Sequence, residues 1–179
     1  MKQFLLSLWE VLEVVLVAAL TVFFIRTFLL QPFLVSGASM EPNFADKDYL
    51  IVDEISYRLR DPQRFETIVF KYPKDPSTYY IKRIIGLPGE RVVIADNAVT
   101  IFNKEHPEGM KLDERYLPSS IHTVWEGSVT LEPGTYFVLG DNRTRSYDSR
   151  SWGVLPKKNV VGLVRLRLLP LNEIKAFSY

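Results

Sequence analysis

The sequence predicts a mainly β, antiparallel domain behind one N-terminal transmembrane helix. Residues 4–30 are apolar apart from Ser7, Glu10, Glu13, Thr21, Arg26 and Thr27. Beyond Pro32 the chain turns into short runs of Val, Ile, Phe and Tyr, broken by Pro, Gly, Asn and Asp about every eight to twelve residues. At 179 residues it holds one domain and an anchor but not two full-sized domains. The expected division is an anchor over 1–31 and a β domain over 32–179, with a reduced insertion near 95–129.

The uncharged run from Val14 to Ile25 is about 12 residues, or ~18 Å of helix, short for a hydrocarbon core of roughly 30 Å. Its flanks complete the span: with Glu10 and Glu13 near one interface and Arg26 snorkelling toward the other, residues 9–28 suffice, and Pro32 stops the helix. A cleaved secretory signal fits less well, because only Lys2 precedes the apolar region and no small-residue cleavage site follows it. A buried core helix is the other alternative. Lys2 and Arg26 offset one another, so the positive-inside rule leaves orientation open.

Strands are expected over 49–53, 67–72, 79–85, 91–95, 99–102, 135–139 and 160–168. Leu87-Pro-Gly-Glu90 and Glu132-Pro-Gly-Thr135 read as turns, with Pro presetting φ and Gly accepting positive φ. Residues 103–123, rich in Glu, Lys, Pro and Ser, read as a solvated surface excursion.

Charge excludes one class of partner. Twenty-two basic against 21 acidic residues, net +1, create no long-range field that would gather nucleic acid. The absence of cysteine removes a thiol nucleophile, a disulfide framework and a thiolate zinc site together. Nothing in the sequence calls for a metal or organic cofactor.

Three segments can carry chemistry. In Val35-Ser-Gly-Ala-Ser-Met-Glu-Pro42, small residues leave room for a substrate backbone beside Ser39, and the turn's amides can face a developing oxyanion. The same segment also reads as a membrane-to-domain linker. Lys82 lies in the apolar stretch Thr78-Tyr-Tyr-Ile-Lys-Arg-Ile-Ile-Gly86. With His106 and His122 the only histidines, a serine nucleophile needs another base, and a desolvated amine can supply it. In a strand Tyr80, Lys82 and Ile84 share one face, and Tyr79, Ile81, Arg83 and Ile85 the other. An edge strand with a snorkelling lysine gives the same pattern. The third segment, Gly140 to Gly153, follows an apolar strand and alternates Asp141, Arg143, Arg145, Asp148 and Arg150. It reads either as a mounted site or as a salt-bridged surface loop.

Together these segments resemble the bacterial type I signal peptidases. Ser36-Gly-Ala-Ser-Met-Glu-Pro42 is similar to that family's nucleophile box, Tyr79-Ile-Lys-Arg-Ile-Ile-Gly-Leu-Pro-Gly89 to its lysine box, and Gly140-Asp-Asn-Arg with Ser146-Tyr-Asp-Ser-Arg150 to its C-terminal box. All three occur in the family's order, which is far more specific than any single serine or lysine.

The resemblance implies a membrane-bound serine endopeptidase that removes signal peptides from exported preproteins after small residues. Ser39 would be the nucleophile, Lys82 the general base and Ser146 the residue orienting it. Asp148 and Arg150 would form a supporting ion pair, Asp141 would fix the loop, and Met40 would pack beside the nucleophile and line the cleft. The backbone amide of Ser39 would donate to the oxyanion. Gly37 stands where some members place a serine hydroxyl as second donor. The chain also departs from the pattern at Asn43-Phe44 and Phe65-Glu66, which are expected to touch no catalytic atom. The implied location is a cell membrane, single-pass, with the domain on the extracytoplasmic side, in contact with lipid. Rival readings are a membrane-anchored β domain that binds extended peptides without cutting them, and a self-cleaving Ser-Lys repressor-type protease.

Overall fold

The computed structural model describes residues 2–28 and 30–179, with side-chain surroundings for residues 7, 9–22 and 31–179. Helix α1 (Lys2–Phe28) is a run of Leu, Val and Phe without Gly or Pro, and Trp9, Val11, Leu12, Val14 and Leu16 on it are exposed. Among the described residues no helix is long and apolar enough to cross a membrane. The expected interfacial placement of Arg26 lies outside the described side chains. Of the expected fold class, the structure carries the mainly antiparallel β character.

The strands are β1 (Leu30–Leu34), β2 (Tyr49–Asp53), β3 (Thr67–Tyr72), β4 (Asp75–Gly86), β5 (Arg91–Ala95), β6 (Ala98–Phe102), β7 (Met110–Lys111), β8 (Gly127–Thr130), β9 (Thr135–Leu139), β10 (Leu155–Pro156), β11 (Val160–Leu169) and β12 (Lys175–Ala176). Short helices α2 (Ser56–Leu59) and α3 (Ser149–Trp152) interrupt them. A large sheet runs in the order β1-β2-β11-β3-β4-β9-β10, with β12 added to β11. A small one runs β7-β6-β5-β8.

Burial follows position in the sheet. In β2 Leu50 and Val52 point inward while Tyr49 and Ile51 are half-buried, the alternation of a one-sided strand. Interior β3 buries Thr67 to Phe70 consecutively, as a strand covered on both faces does. Between the small sheet and the large one lies a core of Val92, Ile94, Ile101, Phe137 and Leu139. A second core, with Met40, Leu50, Val52 and Val69, lies under the segment after β1, and a third gathers Ile68, Phe70, Ile84, Tyr136 and Trp152.

Three sequence expectations change. Pro32 falls inside β1, which pairs only with β2; an edge strand tolerates a residue with no amide proton. β4 begins at Asp75 rather than 79, because the β3–β4 ladder continues to Tyr72↔Asp75. The excursion is no simple solvated loop: β7 pairs with β6, and Leu112 and Thr123 are buried.

Gly162 sits where β11 crosses β2, and a Cβ there would come within 2.6 Å of the Asp53 carbonyl oxygen, a backbone atom no rotamer change can move. Gly162→Ala is therefore expected to lower the denaturant midpoint, by about 1–3 kcal/mol of stability, at an unchanged m-value.

Candidate active site

Ser39 is presented by a loop closed at its base. The Val35 amide donates to the Asp48 carbonyl and the Lys47 amide to the Val35 carbonyl, both at 2.9 Å. Buried Asp48 accepts from Arg167 Nη1 at 2.9 Å and from the Ala45 amide at 3.0 Å, which fixes the returning limb. Gly37 has φ of +91°, a left-handed conformation that explains glycine there, and its amide donates to Asp46 Oδ1 at 2.8 Å. The Phe44 amide donates to the Met40 carbonyl at 2.9 Å, making a helical turn just after Ser39. Met40 is wholly buried against Leu50, Val52 and Val69. Its side chain pins the turn from below and is not part of the cleft wall.

Lys82 reaches Ser39 from β4. β3 pairs along that strand, but β9 joins it only from Arg83 onward, so Lys82 stands on an open stretch of edge; its side chain is nevertheless buried and does not snorkel. Lys82 is 3% exposed. Its Nζ stands 2.8 Å from Ser39 Oγ and donates to the Ile81 carbonyl at 2.7 Å. Burial pushes the amine down from 10.5 to about 8, against the opposing pull of Asp148 and then Asp141. A neutral amine here keeps its N–H to Ile81 and offers its lone pair to the serine hydroxyl.

The loop after β9 supplies the remaining groups. Pairing of β9 with β4 ends at Leu139↔Arg83, so the chain turns away at Gly140, beside Lys82. Asp148 caps α3 and accepts from Arg150 Nε and Nη2, both at 2.8 Å, and from the Gly140 amide at 3.0 Å. Asp141 accepts from Arg83 Nε at 2.8 Å and Nη2 at 2.5 Å, a buried bidentate pair. Ser146 Oγ is buried with no hydrogen-bond partner among the described residues, Lys82 included. A Cβ on Gly140 would fall 2.2 Å from Ser146 Oγ and 2.4 Å from the Ser39 carbonyl oxygen, so one glycine face brings these two serines together.

Two residues at this site escaped the sequence reading. The Asn142 amide donates to the Ser39 carbonyl at 3.1 Å, and its Nδ2 to the Ala38 carbonyl at 3.0 Å. Its place inside Gly140-Asp-Asn-Arg was the available signal. Asn43 Nδ2 donates to Asp141 Oδ2 at 2.8 Å and to the Tyr116 carbonyl at 3.0 Å, so Asn43 bonds to the residue expected to fix the loop rather than to Ser39 or Lys82. Phe65 takes φ of +69°, where a glycine would sit without strain; its ring packs on Tyr116 and its carbonyl accepts from Arg83.

A cleft of about 110 Å³ opens beside the two groups, walled by Phe33, Val35, Leu50, Val69, Tyr79 and Ile81. Its sides are the outer edge of β1 and the stretch of β4 before Arg83, which β9 leaves unpaired. The Phe33 and Tyr79 rings meet across it at 5.4 Å. Among the described residues no cluster of three or more His, Asp and Glu is placed to hold a metal ion.

The family model described as "Signal peptidase, peptidase S26" matches residues 8–169. The chain is 38% identical to the probable signal peptidase I-2 of Synechocystis over 84% of its own length and 68% of that protein. It is 33% identical to the signal peptidase I of Bacillus licheniformis over 94% of its own length and 92% of that protein. A crystal structure of a signal peptidase I from Enterococcus faecalis, 33% identical, aligns with 58% of this chain and 97% of that one at a TM-score of 0.48.

The depressed lysine fixes a sign for stability. Between pH of about 8 and 10.5 the unfolded chain holds a proton that the folded chain has released, so stability rises across that window and the penalty of the buried cation is complete below it. Lys82→Met is expected to raise stability at pH 7 by up to roughly 3 kcal/mol, and the thermal midpoint with it, the gain shrinking toward pH 10.5. Melting curves at both pH values check this.

Proposed function

Since the chain belongs to the signal peptidase family, peptidase S26, we propose that it removes signal peptides from exported preproteins with a Ser39–Lys82 dyad, cutting after small residues. Membership makes it a serine endopeptidase. The observation that carries the dyad is a buried amine 2.8 Å from a serine hydroxyl.

As Ser39 Oγ attacks the scissile carbonyl, neutral Lys82 takes its proton. The Ser39 amide donates to the oxyanion; the Gly37 amide is engaged by Asp46 and its residue has no hydroxyl to offer. The lysine ammonium then protonates the leaving amine, and the mature N-terminus departs. Water, giving its proton to the regenerated amine, hydrolyses the acyl-serine. Ser146 Oγ makes no bond to Lys82 in this structure; buried and unpartnered, it is the group left to accept a further N–H of the amine in the working enzyme and so to orient it. Asp148 with Arg150 and Asp141 with Arg83 hold the loop that carries it. No step calls for a metal or organic cofactor.

Substrate adds as an extended strand between β1 and the unpaired part of β4, its main chain bonded and alternate side chains turned inward. The cleft is small, and the Phe33 and Tyr79 rings narrow it, which favours small side chains there.

Helix α1 is the membrane anchor in this reading, spanning over residues 9–28 with 32–179 on the extracytoplasmic side. Residues 9–28 extend ~30 Å, the thickness of a hydrocarbon core, and the apolar residues 23–25 of the sequence, outside the described side chains, add to a span that the described residues alone do not make. Tethering holds Ser39 near the bilayer, where signal peptides end, and raises its effective concentration.

Preprotein cleavage in detergent and phospholipid, with sequencing of the new N-terminus, tests the proposal. Wild type should cut after a small residue, and Ser39→Ala and Lys82→Met should each lose activity by orders of magnitude while remaining folded; full activity in either variant sinks the dyad. Gly140→Ala, which forces Ser146 and Ser39 apart, should lose about 100-fold. The wild-type rate should climb with pH to a plateau through a midpoint near 8, because only the neutral amine is a base. A rate flat from about pH 5 to 9 argues against Lys82.

A further inference from the structure

The excursion between β7 and β8 brings a carboxylate onto a buried guanidinium of the catalytic loop. Arg143 is 3% exposed. Its Nε donates to the Gly140 carbonyl at 3.1 Å. Nη1 donates to Glu114 Oε2 at 3.1 Å and to Thr123 Oγ1, while Nη2 donates to Glu114 Oε1 at 2.5 Å and to the Tyr116 hydroxyl at 2.9 Å. All five guanidinium donors are thereby used, four of them by the excursion. The Tyr116 hydroxyl also donates to Glu114 Oε1 at 2.6 Å, and its ring lies 4.3 Å from Arg83 Cζ. Its carbonyl accepts a hydrogen bond from Asn43 Nδ2, which also donates to Asp141.

A bidentate carboxylate fixes the plane of a guanidinium as well as its position. Through Nε that plane sets the Gly140 carbonyl. On either side of this peptide unit the Gly140 amide holds Asp148, and Asn142 holds the carbonyls of Ala38 and Ser39. The missing Cβ of Gly140 shows how little slack remains between this loop and the nucleophile turn.

We propose that Glu114 and Tyr116 are positioning residues for peptide cleavage. They orient Arg143, which registers residues 140–142 against the nucleophile turn and so sets the Ser39–Lys82 separation. The inference rests on the Ser39–Lys82 reading, and it makes the excursion part of the catalytic apparatus.

The test is a double-mutant cycle on the full chain in phospholipid and detergent, with wild type, Glu114→Gln, Arg143→Gln and the double variant, beside Lys82→Met. Glu114→Gln keeps the shape of the side chain but sets a neutral amide against a buried cation. At a temperature where melting curves show every variant folded, its kcat should fall about tenfold or more with KM within about twofold, a split that general destabilisation does not produce. The double variant should be no slower than Arg143→Gln alone, because both changes break one link. Wild-type kcat in Glu114→Gln, or losses that multiply in the double variant, would overturn the inference. Should Glu114→Gln fail to fold, Tyr116→Phe, which keeps the ring over Arg83, takes its place in the same cycle with the same criteria. An inactive wild type would overturn the dyad reading and this inference with it. An active wild type, inactive Lys82→Met and unimpaired Glu114→Gln would overturn the inference alone.

Discussion

The site depends on one amine kept out of water. Lys82 is 3% exposed and 2.8 Å from Ser39, and desolvation is the largest influence on its protonation. Two carboxylates nearby, Asp148 and Asp141, act in the opposite direction. Each is already paired with a buried guanidinium, Arg150 and Arg83 respectively. Burial prevails, and the amine rests near neutrality at mildly alkaline pH. With both carboxylates committed to those ion pairs, their pull on the lysine does not outweigh its burial.

The fold serves that amine through β4. Alternation sends Ile84 to one core and Ile85 to another, so the strand is gripped on both faces on the far side of Lys82. The ladder to β9 stops at Arg83, which frees the following chain to leave as the loop carrying Asn142, Ser146 and Asp148. The same stop leaves β4 open before residue 83, where the cleft lies. One break in pairing therefore creates both the loop and the groove. Met40, buried in the second core, holds Ser39 at the meeting point of β1, β4 and the loop.

Much of this was legible in the chain because it is locally encoded. β2, β3, β5 and β9 follow from Val- and Ile-rich runs between turn residues, and the alternation around Lys82 places Tyr80 and Ile84 on its face. What the sequence concealed is carried by contacts across long separations. β1 contains Gln31 and Pro32, which no propensity marks as strand, and it exists because β2 offers a partner. β10 and β12 are two residues each and have no period to read. Glu114 and Thr123 look solvated until Arg143, tens of residues away, folds back onto them. Asn43 and Asn142 bear no charge to draw notice, yet each spans about a hundred residues to bind the turn at Ser39 and the loop after β9 together.

The charge state of one side chain decides whether Ser39 has a base. Lys82 labelled with carbon-13 at Cε can be titrated by NMR in the detergent-solubilised protein, with Lys82→Met identifying its signal. A midpoint near 8, well below the ordinary 10.5, is the predicted result. A midpoint at the ordinary value would mean that the amine is charged throughout the working range, and Lys82 could not then be the base.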